Sequence, residues 1–445
     1  MNDSFDPRCY GAVADGHSKD TAAVQAAIDA AAAQGGTVRL AGGTFVCGTL
    51  YLKSNVALEI TNSATLLASP DIADYGTDTH HNRYRNEPEL DRCFLFAQDA
   101  ENVTICGSGV IDGNAAAFPN AGSIYRPMLL RVLRCRNVRV QNLRLLNAAA
   151  WTTAFLDSDF IWATDLHIEN HRNYNGDGLD FDACRHVWVR GCYIDGTDDN
   201  LCLQSSGLPV QDVHISDCAF TSICAGIRIG LKSIGGISGV VISNCTMRNV
   251  WREGIKLECT EGGSITDILV ENVTMHNVRR PIFAILNNRY RPDDLGSSVE
   301  LDHIPPIGTM ARLRFVGITA VDDEEMAHAQ RRFDNDIMGE PKFGGCRFDA
   351  NAAHPMEDVT IRDFRYTAIG GVRLSDLPAA PYPEVPDRLQ APTTPGSENY
   401  YPDWSRTTHL DARNVRGLTL ENLHFITLHP DERPKMLTEG PTVML

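Results

Sequence analysis

Three aspartates near the middle of the chain are the first residues that could do chemistry. The stretch NGDGLDFDACRHVWVRGCYIDGTDDNLCLQ sets Asp177 between two glycines and, 21 residues on, the adjacent pair Asp198 and Asp199 among Leu, Cys and Ile. Carboxylates among core residues need a purpose, because burying a charge is costly. Carboxylates held a few ångströms apart are what glycoside hydrolysis demands: one protonates the leaving oxygen and another activates a water. Crowding raises the pKa of one member and keeps it protonated as the acid. The plainer alternative is that Asp177 and Asp199 only satisfy turn amides, and three aspartates at this spacing favour the chemical role.

The elements that must position them repeat. The segments NVRVQNLRLLN, FIWATDLHIEN, HVWVRGCYIDG, DVHISDCAFTS, GVVISNCTMRN and DILVENVTMHN align through Val138, Ile161, Val187, Val213, Val240 and Ile268, at steps of 23, 26, 26, 27 and 28 residues. Further copies begin near Asn102, Asp358 and Gly417. Each reads apolar, any, apolar, a polar interruption, then apolar, any, apolar, which is the alternation of short strands with one buried face. The interruption is a column of Asn142, Asp165, Gly191, Asp217, Asn244 and Asn272. These residue types tolerate left-handed backbone, so the chain bends at the same place in every unit. The next column, Leu143, Leu166, Cys192, Cys218, Cys245 and Val273, belongs to the core.

Strand, bend, strand and loop about every 26 residues, with no helix between, predict an all-β fold, a right-handed parallel β-helix. Its rungs stack at about 4.8 Å. The leucine-rich consensus and the roughly 40-residue unit of a propeller are both absent. SKDTAAVQAAIDAAAAQGG supplies an N-terminal capping helix over the open edge: Asp20 or Thr21 as the cap, a stripe of Val24, Ile28 and Ala31, and Gly35–Gly36 as the stop. We expect one domain over 1–445, with a cap region at 1–55 and coils over 56–430. Long loops are expected at 284–310, 322–357 and 376–408, the last rich in proline. One turn of the coil would bring Asp177 onto the face that holds Asp198 and Asp199.

Composition narrows the partners. A formal net charge of −17 argues against nucleic acid, and no apolar run is long enough to span a bilayer. Binding an anionic substrate therefore requires a local basic cluster. Thirteen cysteines, spread singly with no CxxC pair, read as reduced core fillers rather than as a disulfide framework or a metal site. The sequence MNDSFDPRCYGAV shows no secretory pattern, so a cytoplasmic location is expected. No cofactor or metal is called for, and oligomeric state is left open.

The sequence also resembles the family 28 glycoside hydrolases, the polygalacturonases and rhamnogalacturonan hydrolases, whose fold is pectin-lyase-like. YGAVADGHSKDTAAVQAAIDAAAAQGGTVRLAGGTF is similar to the N-terminal cap of pectin-acting β-helices. GSGVIDGNA and RPMLLRVLRCRNVRVQNLRLLNAAAW resemble the family's approach to its active site. NYNGDGLD matches its Asn-Thr-Asp-Gly element through Asp177, and GTDDNLCLQS its Asp-Asp element through Asp198 and Asp199. The resemblance implies an inverting hydrolase in which Asp198 is the general acid, with Asp177 and Asp199 holding and activating the water. Two elements depart. The Gly-His-Gly element falls on Cys224, Ala225 and Gly226, and the Arg-Ile-Lys element on Lys256, Leu257 and Glu258.

These departures bear on the substrate. Arg172, Arg228, Lys232 and Lys256 remain as candidate substrate-binding cations, and Arg252, Arg279, Arg280, Arg289 and Arg291 follow on later coils and loops. His171 is a candidate to replace the missing imidazole, and Glu258 to accept from a sugar hydroxyl or to act as a further carboxylate. Trp151, Trp251 and Tyr174 could stack on sugar rings, although packing is the commoner role of such residues. The leading expectation is an exo-acting hydrolase of a pectin-derived or related uronate-containing oligosaccharide. A β-elimination lyase or epimerase, with the aspartates on Ca²⁺ and Lys256 or Arg228 as base, is the second reading. A non-catalytic carbohydrate-binding solenoid is the third.

Overall fold

The computed structural model describes residues 3–79, 91–120, 126–288, 305–324, 332–333, 336–337, 344–379, 404–439 and 442–444. The chain divides into two compact units, Met1–Asn200 and Leu201–Leu445. Each is a right-handed parallel β-helix, as the repeat predicts.

In the first unit one coil consists of strands Thr153–Leu156, Asp159–Thr164 and His167–Asn170, and the next of Leu179–Asp182, Arg185–Arg190 and Tyr193–Gly196. Each strand pairs in parallel with its counterpart one coil on: Phe155 with Phe181, Ile161 with Val187, Ile168 with Ile194. Val138 likewise pairs with Ile161, so the column of anchors in the sequence is the register of the sheet. Inward-pointing residues such as Val138, Ile161, Val187 and Ile168 are fully buried, each contributing about 1.5–3 kcal/mol by leaving water.

The bend column behaves as its composition requires. Asn142, Asp165 and Gly191 in the first unit have φ of 57°, 53° and 67°, and Asp217, Asn244 and Asn272 in the second have 57°, 55° and 53°. These angles are left-handed, which Asn, Asp and Gly accept at least cost.

The capping helix spans Thr21–Ala32 and buries Ala23, Val24, Ala27, Ile28 and Ala31. Asp20 occupies the N-cap position without capping the helix through its side chain. Its carboxylate instead accepts from the amides of Val13 and Ala14 at 2.7 and 3.1 Å, tying the helix start to the preceding segment.

The second unit pairs Val213 with Val240 and Val240 with Ile268. Its strands lengthen to Thr246–Cys259 and Ser264–Leu286, which turn a corner of the coil without a break. Strand Cys346–Ala350 lies inside the segment expected as a loop at 322–357 and pairs with Ser264–Leu286 and Leu410–Arg413. Its five residues, CRFDA, are too few to show the repeat by themselves. Most of the expected loops, with Arg289 and Arg291, lie outside the described residues. Among the described residues no helix is long and apolar enough to cross a membrane. All thirteen cysteines are free thiols, with only Cys9 exposed and Cys106 part-exposed.

Candidate active site

The three aspartates sit where the coil turns from its third strand into the first strand of the next coil. Backbone contacts bring their two turns together. The Gly178 amide donates to the Asp199 carbonyl at 3.1 Å, and the Leu179 amide to the Asn200 carbonyl at 2.9 Å. The Asp177 turn therefore stacks directly on the Asp198–Asp199 turn, as the 21-residue spacing predicts. The glycines flanking Asp177 make this approach possible. A Cβ on Gly178 would collide with the Asn200 carbonyl, and one on Gly176 with the Thr197 hydroxyl.

Side chains complete the support. Thr197 accepts from the Gly176 amide at 3.0 Å and donates to the Asn173 carbonyl at 2.5 Å. Asn200 donates to the Ile194 carbonyl at 3.0 Å, and Asn173 donates to the Ala149 carbonyl at 3.1 Å. Asp198 is half-buried, whereas Asp177 and Asp199 are 6 % and 0 % exposed. The Asp198 carboxylate accepts from the Asp199 amide at 2.9 Å. The trio is thus graded, with one carboxyl part-exposed and two buried.

Arg126 was not singled out by the sequence reading. It is fully buried, donating to the Tyr174 carbonyl at 2.6 Å and the Asn175 side chain at 2.7 Å. A buried guanidinium binding the turn that carries Asp177 acts as its clamp. The only signal for it was an Arg-Pro step at the start of a strand.

His171 pairs with Asp195, Nε2 to Oδ2 at 3.2 Å, and Tyr193 donates to the same oxygen at 3.4 Å. Arg172 and Tyr174 are exposed, while Trp151 and Trp251 are buried packing residues.

The remaining candidates belong to the second unit. Arg228 is half-buried, but Lys232, Lys256 and Glu258 are 1 %, 3 % and 0 % exposed. They lie beneath the surface rather than at it. Lys232 faces Glu261 at 3.9 Å. Glu258 engages Arg228 through one oxygen at 3.0 Å and Lys256 through the other at 3.6 Å. Ala225, where the resemblance expects histidine, is fully buried.

This burial extends along the outer face of the second unit. Alternation sends Lys256, Glu258, Phe283, Ile285, Arg347, Asp349, Asp411 and Arg413 to the outer side of their strands, yet none is more than 3 % exposed. Arg347 donates to the Trp404 carbonyl at 2.6 Å, so the chain at Trp404 lies against Arg347. Arg413 and Asp349 form a bidentate pair at 2.7 and 3.0 Å.

Fold and residues together define a parallel β-helix with an acidic centre at a coil turn. The chain belongs to the glycosyl hydrolases family 28, whose model matches residues 44–300. It is 27 % identical over 262 residues to a probable polygalacturonase of Vitis vinifera, covering 52 % of each chain. It is 25 % identical over 243 residues to an exo-poly-alpha-D-galacturonosidase of Dickeya chrysanthemi, covering 43 % of this chain and 40 % of that one. The chain therefore spans about half the length of the curated relatives it matches. Among solved structures, the exopolygalacturonase of Thermotoga maritima shares the fold with a TM-score of 0.66 and 21 % identity, over 82 % of this chain and 87 % of that one.

Proposed function

We propose that this chain is an inverting, exo-acting glycoside hydrolase of a pectin-derived or related uronate-containing oligosaccharide. The observation that carries the reading is the Gly178–Asp199 backbone bond, which stacks Asp177 on the Asp198–Asp199 turn. The gradation in burial fits the roles. Asp198, the open carboxyl, protonates the glycosidic oxygen. Asp177 and Asp199 hold a water and take its proton as it adds to the anomeric carbon from the opposite face. Water is thus divided between the two products, and the new hemiacetal has the inverted configuration.

The names of the Dickeya and Thermotoga relatives support exo action. The thirteen free thiols support a reducing, cytoplasmic setting.

The test is incubation with oligogalacturonates and other uronate oligosaccharides, read by mass and by NMR of the anomer first released. Monomer or dimer release with inversion, abolished in Asp198→Asn, is the expected result. Full activity in that variant, or an unsaturated product, would sink the reading.

A further inference from the structure

The turn that carries Asp177 is held residue by residue. The Asn173 side chain donates to the carbonyls of Ala115 and Ala149 at 3.3 and 3.1 Å, and the Asn173 carbonyl accepts from the Thr197 hydroxyl. The Tyr174 amide donates to the Asn120 carbonyl at 3.0 Å. Arg126 gives one guanidinium nitrogen to the Tyr174 carbonyl and another to the Asn175 side chain. Asn175 has φ of 54°, a left-handed backbone that asparagine accepts. The Gly176 amide donates to Thr197. Four consecutive residues are thus fixed, all within the first unit.

On this fixed turn Asn173, Gly176 and Asp177 are buried, yet Tyr174 stands exposed. Among the described residues the exposed large aromatic side chains are Tyr10, Tyr174 and Tyr193, at 39 %, 37 % and 37 %. Two of these three flank the acidic centre, since Tyr174 precedes Asp177 on its turn and Tyr193 opens the strand that runs into Asp198. Tyr193 has its ring tilted against His167, with centroids 5.0 Å apart, and its hydroxyl on Asp195. Tyr174 is the member carried by a catalytic turn. An aromatic ring left in water forgoes the burial that such rings otherwise provide, and a turn that needed only solubility would be served by a small polar residue.

We propose that Tyr174 is a specificity-determining residue, its ring a platform on which one sugar ring of the substrate rests through its C–H face. This rests on the hydrolase reading in taking the ligand to be that reaction's substrate. A pyranose carries an apolar face of C–H groups among its hydroxyls, and the flat ring of a tyrosine matches it. Small-molecule sites pair such aromatic walls with a few polar groups that fix orientation. Tyrosine has only two side-chain torsions to order, and a main chain already fixed lowers the ordering cost of binding further. Stacking of this kind is indifferent to the sugar's charge, so Tyr174 selects for the ring and not for the carboxylate.

Binding is measured by calorimetry in the Asp198→Asn chain, using digalacturonate and its carboxyl-reduced, neutral counterpart. Tyr174→Ala should weaken both about 3- to 10-fold, the worth of one aromatic contact, and Tyr174→Phe should bind both as its parent does. The bonds that anchor the turn are made by main chain, Asn173 and Asn175, so the alanine variant keeps them. In the otherwise native chain Tyr174→Ala should raise KM by the same factor with little change in kcat. A displaced turn would lower kcat instead, because Asp177 would move with it. Undiminished affinity in Tyr174→Ala, a loss confined to the charged sugar, a phenylalanine variant as weak as the alanine one, or no binding of either sugar overturns the platform. Undiminished turnover by Asp198→Asn would refute the hydrolase reading instead, while the comparison of alanine with phenylalanine still decides this one.

Discussion

The two units handle buried carboxylates in different ways. In the first, the main chain does the positioning: amide-to-carbonyl bonds and two glycines stack the Asp177 turn on Asp199. In the second, side chains do it, through Glu253, Glu258 and Asp349 locked against arginines and lysine. In the first unit the turn is set by backbone bonds, whereas in the second the carboxylate oxygens are taken up by ion pairs with neighbouring cations. The comparison teaches where chemistry and where rigidity reside in a coil built from one repeat.

The largest expected effect separates these roles. Asp198→Asn should lower kcat about 10²- to 10⁴-fold, the usual worth of a positioned proton donor, while urea denaturation stays near wild type because Asp198 is half-buried. Arg413→Ala should do the reverse. Leaving Asp349 buried without its bidentate partner costs about 3–5 kcal/mol, read as a lower urea midpoint, with kcat of the folded enzyme retained. A variant of either kind that lost both properties together would erase the contrast. Third in size is Gly178→Ala, where the Asn200 carbonyl must give way to a methyl group. A displacement near 1 Å at such a turn costs about 10²-fold in rate, so kcat should fall by that order with KM changing less.

Much of the coil was legible in the sequence because each rung repeats one physical requirement. The anchors Val138, Ile161 and Val187 became register partners, and the polar column became a column of left-handed residues. The stacking of Asp177 on Asp199 followed from the spacing alone. What escaped depended on distant segments. Alternation marks Lys256 and Glu258 as outward-facing, but they are buried and paired with Glu253 and Arg228. Arg126 binds a turn about fifty residues away, and Glu253 finds Arg280 one coil later. Strand Cys346–Ala350 is only five residues long, CRFDA, too short to show the repeat by itself.

The smallest effect sharpens the comparison inside the second unit, between Glu253 and Asp322. Both are nearly inaccessible, yet their acidities move in opposite directions. Cations overcome burial at Glu253 and hold it down to about 2. At Asp322 burial pushes the carboxyl up to about 7, despite hydrogen bonds from the Ile369 amide at 3.1 Å and the Tyr366 hydroxyl at 3.4 Å. A depressed carboxyl adds stability that is present above the unfolded pKa and disappears as pH falls through the folded one, here from about 4 toward 2. A raised carboxyl works the other way. Between about pH 4 and 7 the folded state binds the Asp322 proton more tightly than the unfolded chain does, so stability falls as pH rises across that window. Asp322→Asn removes the titration, and its denaturation midpoint should decline less than wild type between pH 4.5 and 7 on this account. Glu253→Gln should leave that window unchanged and alter only the acid limb below about pH 4. Parallel curves for Asp322→Asn and wild type would show that burial alone does not set the acidity of this group.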